Sequence, residues 1–217
     1  MSSFFELTGP EAPPGGTVER LVILLHGYGA DGNDLIGLAG VWAPLLPDTL
    51  FAAPNAPSPC AENPMGFQWF PIGRLDPEIM IEGARNAAPI LDAYIDKQLD
   101  KYGLDESRLA LVGFSQGTIM ALHVGLRRNK PVAGIVGYSG ALAGASVLPE
   151  EIRSRPPVLL IHGDADPVVP VYAMKLASEG LGAAGVEVFT HVAAGVEHGI
   201  DEAGVELGAR FLQKVLG

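Results

Sequence analysis

The sequence predicts an α/β fold with a mostly parallel central sheet and helices on both faces. Short, continuous apolar runs recur along the chain, as expected for strands that are buried on both faces of a parallel sheet. Segments with helical periodicity separate these runs, and strands that alternate with helices form parallel sheets. Of the 217 residues, 48% are hydrophobic and 18% are charged, so the chain can bury a large core.

Six apolar runs are the predicted strands of this sheet. They lie at residues 20–25, 50–53, 109–112, 132–136, 158–161 and 186–190. The N-terminal segment 4–7 carries a weaker signal for an antiparallel edge strand. The runs are too short for buried helices and are bounded by turn residues, which favours strands.

The clearest predicted helix spans residues 76–102. Asp76 is a capping carboxylate and Pro77 suits the first helical turn. Pro89 lies well inside this helix, so we expect a kink or a split there. Further helices are predicted at 118–124, at 170–184 and from Asp201 to the end of the chain.

Residues 54–74 differ from an ordinary connection. This segment contains five prolines together with Phe67, Trp69 and Phe70. Long ordered loops of this kind are often functional. The three rings either line an apolar acyl pocket or pack the loop onto the sheet, and the sequence leaves both interpretations open.

Composition argues against several classes of partner. A formal net charge of −11, without a local cluster of Lys or Arg, repels phosphate backbones, so nucleic acid is not an expected partner. No apolar stretch is long enough to span a bilayer, so stable membrane insertion is not expected. The chain starts without a signal-like segment and has a single cysteine, Cys60, which fits a cytoplasmic location. The length fits one domain over 1–217.

Residues 113–117 read Gly-Phe-Ser-Gln-Gly, a G-x-S-x-G pentapeptide. They directly follow a predicted strand and directly precede a predicted helix, the setting of a nucleophile elbow. A side chain at either glycine would collide where the strand and the helix pack against the serine. The pattern predicts Ser115 as a nucleophile.

A nucleophilic serine needs a base, and the base needs an orienting carboxylate. In hydrolases with this elbow, the three residues follow in the order serine, acid, histidine. After the strand at 158–161, the segment His-Gly-Asp-Ala-Asp-Pro-Val-Val-Pro (162–170) offers Asp164 and Asp166. We favour Asp166, which lies further into the loop, and expect Asp164 to brace the same turn.

His198 is the predicted base. It lies in Gly-Val-Glu-His-Gly (195–199), after the last predicted strand and before the final helix. The other four histidines end or lie within predicted strands and helices and need not be catalytic: 26, 123, 162 and 191.

With these residues in place, the chain resembles the serine carboxylesterases, acyl-protein thioesterases and lysophospholipases of the α/β-hydrolase fold. The matching segments are Leu-His-Gly-Tyr-Gly-Ala-Asp (25–31), Gln-Trp-Phe (68–70), 113–117, 162–170 and Gly-Val-Glu-His (195–198). They extend over nearly the whole chain, and their combination is far more specific than any one of them.

The resemblance implies a catalytic triad of Ser115, Asp166 and His198. It also implies an oxyanion hole made by the backbone N–H groups of Tyr28 and Gln116. Gln116 follows the nucleophile at a helix N-terminus, where unpaired amides favour developing negative charge. Family members commonly have leucine where this chain has Tyr28, so the nearby pocket differs in shape.

Three other classes of protein fit the sequence less well. Gly-Tyr-Gly-Ala-Asp-Gly (27–32) matches the dinucleotide fingerprint G-x-G-x-x-G, but the second strand ends in Ala-Pro-Asn (53–55) without the acid that would hold a ribose. A metal site from His26, His162, Asp164 and Asp166 lacks compact ligand spacing. A non-catalytic binding protein on a hydrolase scaffold is disfavoured, because the serine, the acid and the histidine are all present in the required order along the chain.

The sequence therefore predicts a cofactor-free and metal-free carboxylesterase that acts on esters of short to medium acyl chains through an acyl-enzyme. Lysophospholipase and acyl-protein thioesterase activities are the alternatives. No insertion between 139 and 156 is large enough for a lid domain, which favours dispersed, small-molecule esters. Trp69, Phe70 and Phe67 are the candidate substrate-binding residues. A homodimer is left open, because the apolar loop offers a surface for one.

Overall fold

A computed structural model describes residues 6–72 and 76–217 of the chain. Within these residues the strands are Glu11–Ala12 (β1), Arg20–Leu25 (β2), Thr49–Ala52 (β3), Ser58–Pro59 (β4), Phe67–Gln68 (β5), Leu109–Phe114 (β6), Gly134–Tyr138 (β7), Val158–Gly163 (β8) and Val188–Ala193 (β9). The helices are Gly32–Ile36 (α1), Leu38–Trp42 (α2), Pro77–Tyr102 (α3), Gln116–Gly125 (α4), Leu148–Glu151 (α5), Tyr172–Ala183 (α6) and Glu202–Leu216 (α7). A 3₁₀ turn, Glu106–Arg108, precedes β6.

Seven strands form one sheet in the order β1-β3-β2-β6-β7-β8-β9. Every neighbouring pair is parallel except β1 with β3, which is antiparallel. The predicted mostly parallel sheet is confirmed, and each of the six predicted runs contributes a strand. Strands β4 and β5 form a separate antiparallel pair within the Pro-rich segment.

The N-terminal edge strand forms at Glu11–Ala12, later than the predicted segment 4–7. Residues 4 and 5 lie outside the described residues, and Leu7 is buried outside any strand. The edge strand stops after two residues because Pro13 and Pro14 follow, and proline has no N–H for the ladder.

Helix α3 begins as predicted, with the Asp76 carboxylate accepting a hydrogen bond from Glu78 N at 2.8 Å. The prediction of a split at Pro89 is wrong, because α3 continues through this residue. Pro89 removes one backbone hydrogen bond, but buried side chains anchor the helix on both sides of it, among them Ala84 and Leu91. No helix in the described ranges is both long enough and apolar enough to cross a membrane.

Both faces of the sheet are covered. Leu21, Ile23 and Leu25 of β2 point to one face, where they join a core with buried residues of α3, α4 and α6. Val22 and Leu24 alternate to the opposite face, where the core includes residues of α1, α2 and α7. Because neighbouring strands are parallel, the loops after β2, β6, β7, β8 and β9 meet at one edge of the sheet.

Candidate active site

Ser115 lies in a strained turn between β6 and α4, two of the elements packed at the centre of the fold. Its backbone has φ 52° and ψ −114°, a conformation that L-residues rarely adopt. The Ser115 N–H donates to Tyr138 O at 2.9 Å, which ties the turn to the neighbouring strand β7. The side chain makes no capping hydrogen bond to α4 and is half-buried.

The glycines on either side of Ser115 allow this close packing. A Cβ at Gly113 would lie 2.4 Å from the Gly117 carbonyl carbon and oxygen, and one at Gly117 would lie 1.8 Å from Leu25 O. Real Cβ atoms do not approach backbone atoms this closely, so the turn excludes any side chain at both positions.

We expect Gly117→Ala to destabilise the protein by about 2–3 kcal/mol or more, because β2 and α4 must move apart to accept the methyl group. The measurement is the free energy of unfolding in urea. Gly40→Ala is the matched control: its Cβ meets no atom within 4 Å, and in helix α2 the change is expected to stabilise by about 0.5–1 kcal/mol. Equal stability of Gly117→Ala and wild type would contradict this account of the elbow.

Asp166 and His198 are joined by a hydrogen bond. The His198 Nδ1 and Asp166 Oδ2 atoms are 2.7 Å apart. The other carboxylate oxygen, Oδ1, accepts from the N–H groups of Val168 and Val169, each at 2.8 Å. Burial alone would raise the pKa of Asp166, but the hydrogen bonds from His198 and from these amides outweigh it and hold the pKa below its ordinary value. Asp166 is therefore held as a carboxylate that orients the His198 ring.

Asp164 has a different set of contacts. Its Oδ1 accepts a hydrogen bond from Gly195 N at 2.6 Å, which joins the loop after β8 to the loop after β9. This contact fits the bracing role that the sequence assigned to it.

The structure places Ser115 and His198 at the same edge of the sheet, where Phe114, the last residue of β6, lies against the imidazole. The Phe114 and His198 ring centroids are 4.9 Å apart. A hydrogen bond from the Ser115 hydroxyl to His198 is not among those that the described residues form. Of the three side chains predicted to act together, the structure therefore pairs Asp166 with His198 and leaves the serine hydroxyl unpaired within those ranges.

The two predicted oxyanion donors lie at the start of α4 and in the loop after β2. Within residues 6–72 and 76–217, neither the Gln116 N–H nor the Tyr28 N–H donates to a protein acceptor. Helix α4 begins at Gln116, so its amide belongs to the unpaired first turn. The neighbouring Cys60 thiol raises the pKa of Tyr28 to about 12.

The Pro-rich segment is fastened to both of these loops. The Gln116 side chain accepts from Trp69 N at 2.9 Å and donates to Phe70 O at 2.8 Å. The Trp69 indole N–H donates to His26 O at 3.0 Å. Trp69 and Phe70 are each only 3% exposed and belong to the core, whereas Phe67 is half-buried. Substrate contact by these three rings stays a prediction.

Two histidines for which the sequence predicted no catalytic role brace the site. The His26 Nδ1–H donates to Gly27 O at 2.7 Å, and its Nε2 accepts from Ala56 N at 2.9 Å. Desolvation lowers the pKa of His26 below its ordinary value, so the ring is neutral. His162 Nε2 lies 2.8 Å from Val169 O and 3.3 Å from Asp166 Oδ2. The apolar pattern of the sequence places these two histidines at strand ends, but it does not indicate their hydrogen-bond partners.

Two clefts open on different sides of this edge. The first, which we call the apolar groove, has a volume of about 810 Å³ and lies between α3, α6 and the loop after β7. Its lining includes Ile81, Leu142, Val147, Val169 and Ala173. The second, which we call the His198 cleft, has a volume of about 420 Å³ and is lined by residues of α1, α2 and α7 together with Phe114 and His198–Ile200.

A parallel sheet covered on both faces, with a strained serine directly after a central strand, defines the protein as an α/β hydrolase. Residues 12–216 match the phospholipase/carboxylesterase family of these hydrolases. The chain belongs to that family, which confirms the resemblance and the fold that the sequence predicted.

Individual relatives are similar over nearly the whole chain. Esterase YpfH of Escherichia coli (strain K12) is 28% identical over 210 residues, which cover 96% of this chain and 87% of that protein. Acyl-protein thioesterase 1 of Gibberella zeae is 30% identical over 213 residues, 90% of each chain. The crystal structure of esterase PE8 superposes with a TM-score of 0.94 at 43% identity and covers 97% of this chain and 100% of that one. These relatives and the family support ester hydrolysis as the class of activity.

Proposed function

We propose that this protein is a carboxylesterase that works through an acyl-enzyme on Ser115. His198 removes the serine proton as the hydroxyl attacks the acyl carbon, and then protonates the departing alcohol. Water activated by the same histidine releases the acid. Asp166 holds the imidazole in the tautomer with the proton on Nδ1 and stabilises the imidazolium. The observation that carries the proposal is the 2.7 Å hydrogen bond between His198 and Asp166, beside a serine in a strained elbow.

The unpaired serine hydroxyl is compatible with this chemistry. In unliganded enzymes the catalytic hydrogen bonds are often long or poorly aligned, and they tighten when substrate binds. Rotation of the Ser115 side chain toward His198 requires no change in the elbow, because the hydroxyl makes no capping hydrogen bond.

The tetrahedral intermediate carries a negative charge, which the N–H groups of Tyr28 and Gln116 would receive. Both amides lack a protein acceptor in the described ranges. The dipole of α4 adds to the stabilisation at Gln116, and loss of one such donor typically costs about 3–4 kcal/mol in the transition state.

The apolar groove is our candidate for the acyl site. Its lining residue Ala141 directly follows Gly140, and a Cβ at Gly140 would lie 2.9 Å from the backbone oxygen of Ser115. The groove also borders Val169, whose N–H donates to Asp166. Its volume fits short to medium acyl chains. Burial of an acyl chain against its aliphatic residues contributes about 0.8 kcal/mol of binding free energy for each methylene.

Filling this groove should change the chain-length preference. We expect Ala173→Phe to lower kcat/KM for p-nitrophenyl octanoate by about tenfold or more, and that for the acetate by less than about threefold, because only the longer chain needs the filled space. The measurement is kcat/KM over a C2–C10 series. Ala183→Phe, the same change at an exposed position of α6 outside the groove, serves as the control. An unaltered chain-length profile in Ala173→Phe would show that the acyl chain binds elsewhere.

The three aromatic rings on the Pro-rich segment are given two different roles in the proposal. Phe67 is half-buried and can contact substrate directly, while Trp69 and Phe70 act by holding the segment against the elbow. The same chain-length series with Trp69→Ala separates the roles: a changed preference indicates contact with the acyl chain, and a uniform loss indicates support of the loop.

Thioester hydrolysis is the second candidate, because a relative that is 30% identical over 90% of the chain carries the name acyl-protein thioesterase. The acyl-enzyme is the same for both substrates, and only the leaving group differs. Comparison of octanoyl esters with S-octanoyl thioesters of matched leaving groups would rank the two activities. A cytoplasmic location and a homodimer stay predictions, to be tested by fractionation and by light scattering.

The test of the proposal is active-site labelling. A fluorophosphonate should add one phosphonyl group per chain, located at Ser115 by peptide mass spectrometry, and should abolish hydrolysis of p-nitrophenyl butyrate. Labelling at another residue, or full activity after complete labelling, would overturn it.

A further inference from the structure

The His198 cleft lies on the opposite side of the sheet from the apolar groove. The groove is lined by α3 and α6, which cover one face, whereas the cleft is lined by α1, α2 and α7, which cover the other. The proposed catalytic residues lie at the sheet edge between these two spaces. An ester bound there has two ends, and each end has a separate space.

The chemistry assigns the ends. The general acid must reach the oxygen of the departing alcohol, so the leaving group has to lie beside His198. His198 lines the cleft and does not line the groove. With the acyl chain in the apolar groove, the alcohol therefore extends into the His198 cleft.

The charge of the cleft is one-sided. Asp34 contributes a carboxylate to its lining, and within the described part of the chain no Lys or Arg lines it. Asp34 is exposed and forms no ion pair with any residue in the described ranges. The whole chain carries a formal charge of −11, so the overall field of the protein has the same sign as this carboxylate.

The remaining walls suit a cation that carries alkyl groups. Leu35, Leu38, Ile200 and Val205 provide apolar surface. Phe114 is half-buried and presents an aromatic ring, which attracts an alkylated ammonium through its π-face. A carboxylate together with an aromatic ring and aliphatic walls is the chemistry that binds a quaternary ammonium group.

We propose that the His198 cleft is the leaving-group subsite and that Asp34 makes it selective for esters of amino alcohols, in which a cationic nitrogen lies a few bonds from the ester oxygen. The inference rests on the proposed function, because it requires His198 to protonate the leaving alcohol. Asp34 is a specificity-determining residue in this scheme and takes no part in bond breaking.

Two butyrate esters of nearly equal shape test the proposal: butyrylcholine and its uncharged isostere, 3,3-dimethylbutyl butyrate. At low ionic strength, wild type should favour the choline ester in kcat/KM by about three- to tenfold, a range set by one exposed carboxylate and one aromatic contact. Asp34→Asn should bring this ratio close to one while leaving kcat/KM for the uncharged ester within about twofold, and 0.5 M NaCl should reduce the wild-type ratio.

Asp100→Asn is the matched control. It removes the same single charge from an exposed position in the last turns of α3, which leads to the start of β6 and so lies away from the edge that carries Ser115. The wild-type ratio should persist in this variant. A wild-type ratio of one or less, or an equal fall of the ratio in both variants, would overturn the inference. Hydrolysis of p-nitrophenyl butyrate separates the two claims. If wild type cleaves this ester but does not favour butyrylcholine over its isostere, only the subsite fails. If wild type does not cleave it, the proposed function fails.

Discussion

Replacement of Ser115 by alanine is expected to lower kcat for p-nitrophenyl butyrate by about 10⁴- to 10⁶-fold, because it removes the hydroxyl on which the proposed acyl-enzyme forms. The fold should survive, since the Ser115 side chain makes no capping hydrogen bond and the backbone contact to Tyr138 O does not involve the hydroxyl. The measurements are initial rates, together with the urea midpoint and the fluorophosphonate label on the same preparation.

A second serine provides the control for Ser115→Ala. Ser139 follows β7, the strand beside β6, and also has a positive φ, 45° against 52° for Ser115. Ser139→Ala removes the same atom from the same kind of backbone, and we expect it to retain activity within about tenfold. Retention of wild-type activity by Ser115→Ala, with the label absent, would refute the acyl-enzyme on Ser115.

The second large effect is expected for Asp166→Asn, with a fall of about 10³- to 10⁴-fold in kcat. The amide can still accept from the N–H groups of Val168 and Val169, so the loop should keep its shape. It cannot, however, supply the negative charge that stabilises the imidazolium of His198, and it can hold the ring in the wrong tautomer.

Asp164→Asn is the control for Asp166→Asn. It removes a negative charge from the same loop but leaves the carboxylate that contacts His198 in place. Asp164 is two residues away, and its contact is the Gly195 amide, which an asparagine oxygen also accepts. We expect activity within about threefold of wild type for this variant, measured as kcat/KM at neutral pH. A loss of activity in Asp164→Asn as large as that in Asp166→Asn would show that the orienting role does not belong to Asp166 alone.

Strands β2, β3, β6, β7 and β8 were predictable because they are buried on both faces, so each appears as a continuous apolar run. The edge strand was misplaced since two residues carry almost no periodic signal, and its pairing with β3 depends on contacts distant in sequence. Helix α3 was expected to kink or split at Pro89 because local propensity disfavours proline inside helices. The helix does not split there, because burial of the flanking turns outweighs that local cost.

At the candidate site, the order of the motifs along the chain indicated Ser115, Asp166 and His198, and their proposed roles rest on that order together with the Asp166–His198 contact. The contacts of the Gln116 side chain could not be predicted. They join residues 46 and 47 positions apart, and no short-range pattern reports such a pairing. The two clefts were equally inaccessible to sequence reasoning, because each is formed by elements from distant parts of the chain.

The Gln116 side chain has a consequence for engineering. It bonds to the backbone on both sides of the Trp69–Phe70 peptide, while the backbone N–H of the same residue is a proposed oxyanion donor. The Pro-rich segment therefore cannot be exchanged independently of the elbow. A loop transplanted from a relative would place its backbone N–H and carbonyl groups at other positions, and a mismatch with the Gln116 side chain would shift the start of α4. Libraries that recombine this segment should vary residue 116 together with it.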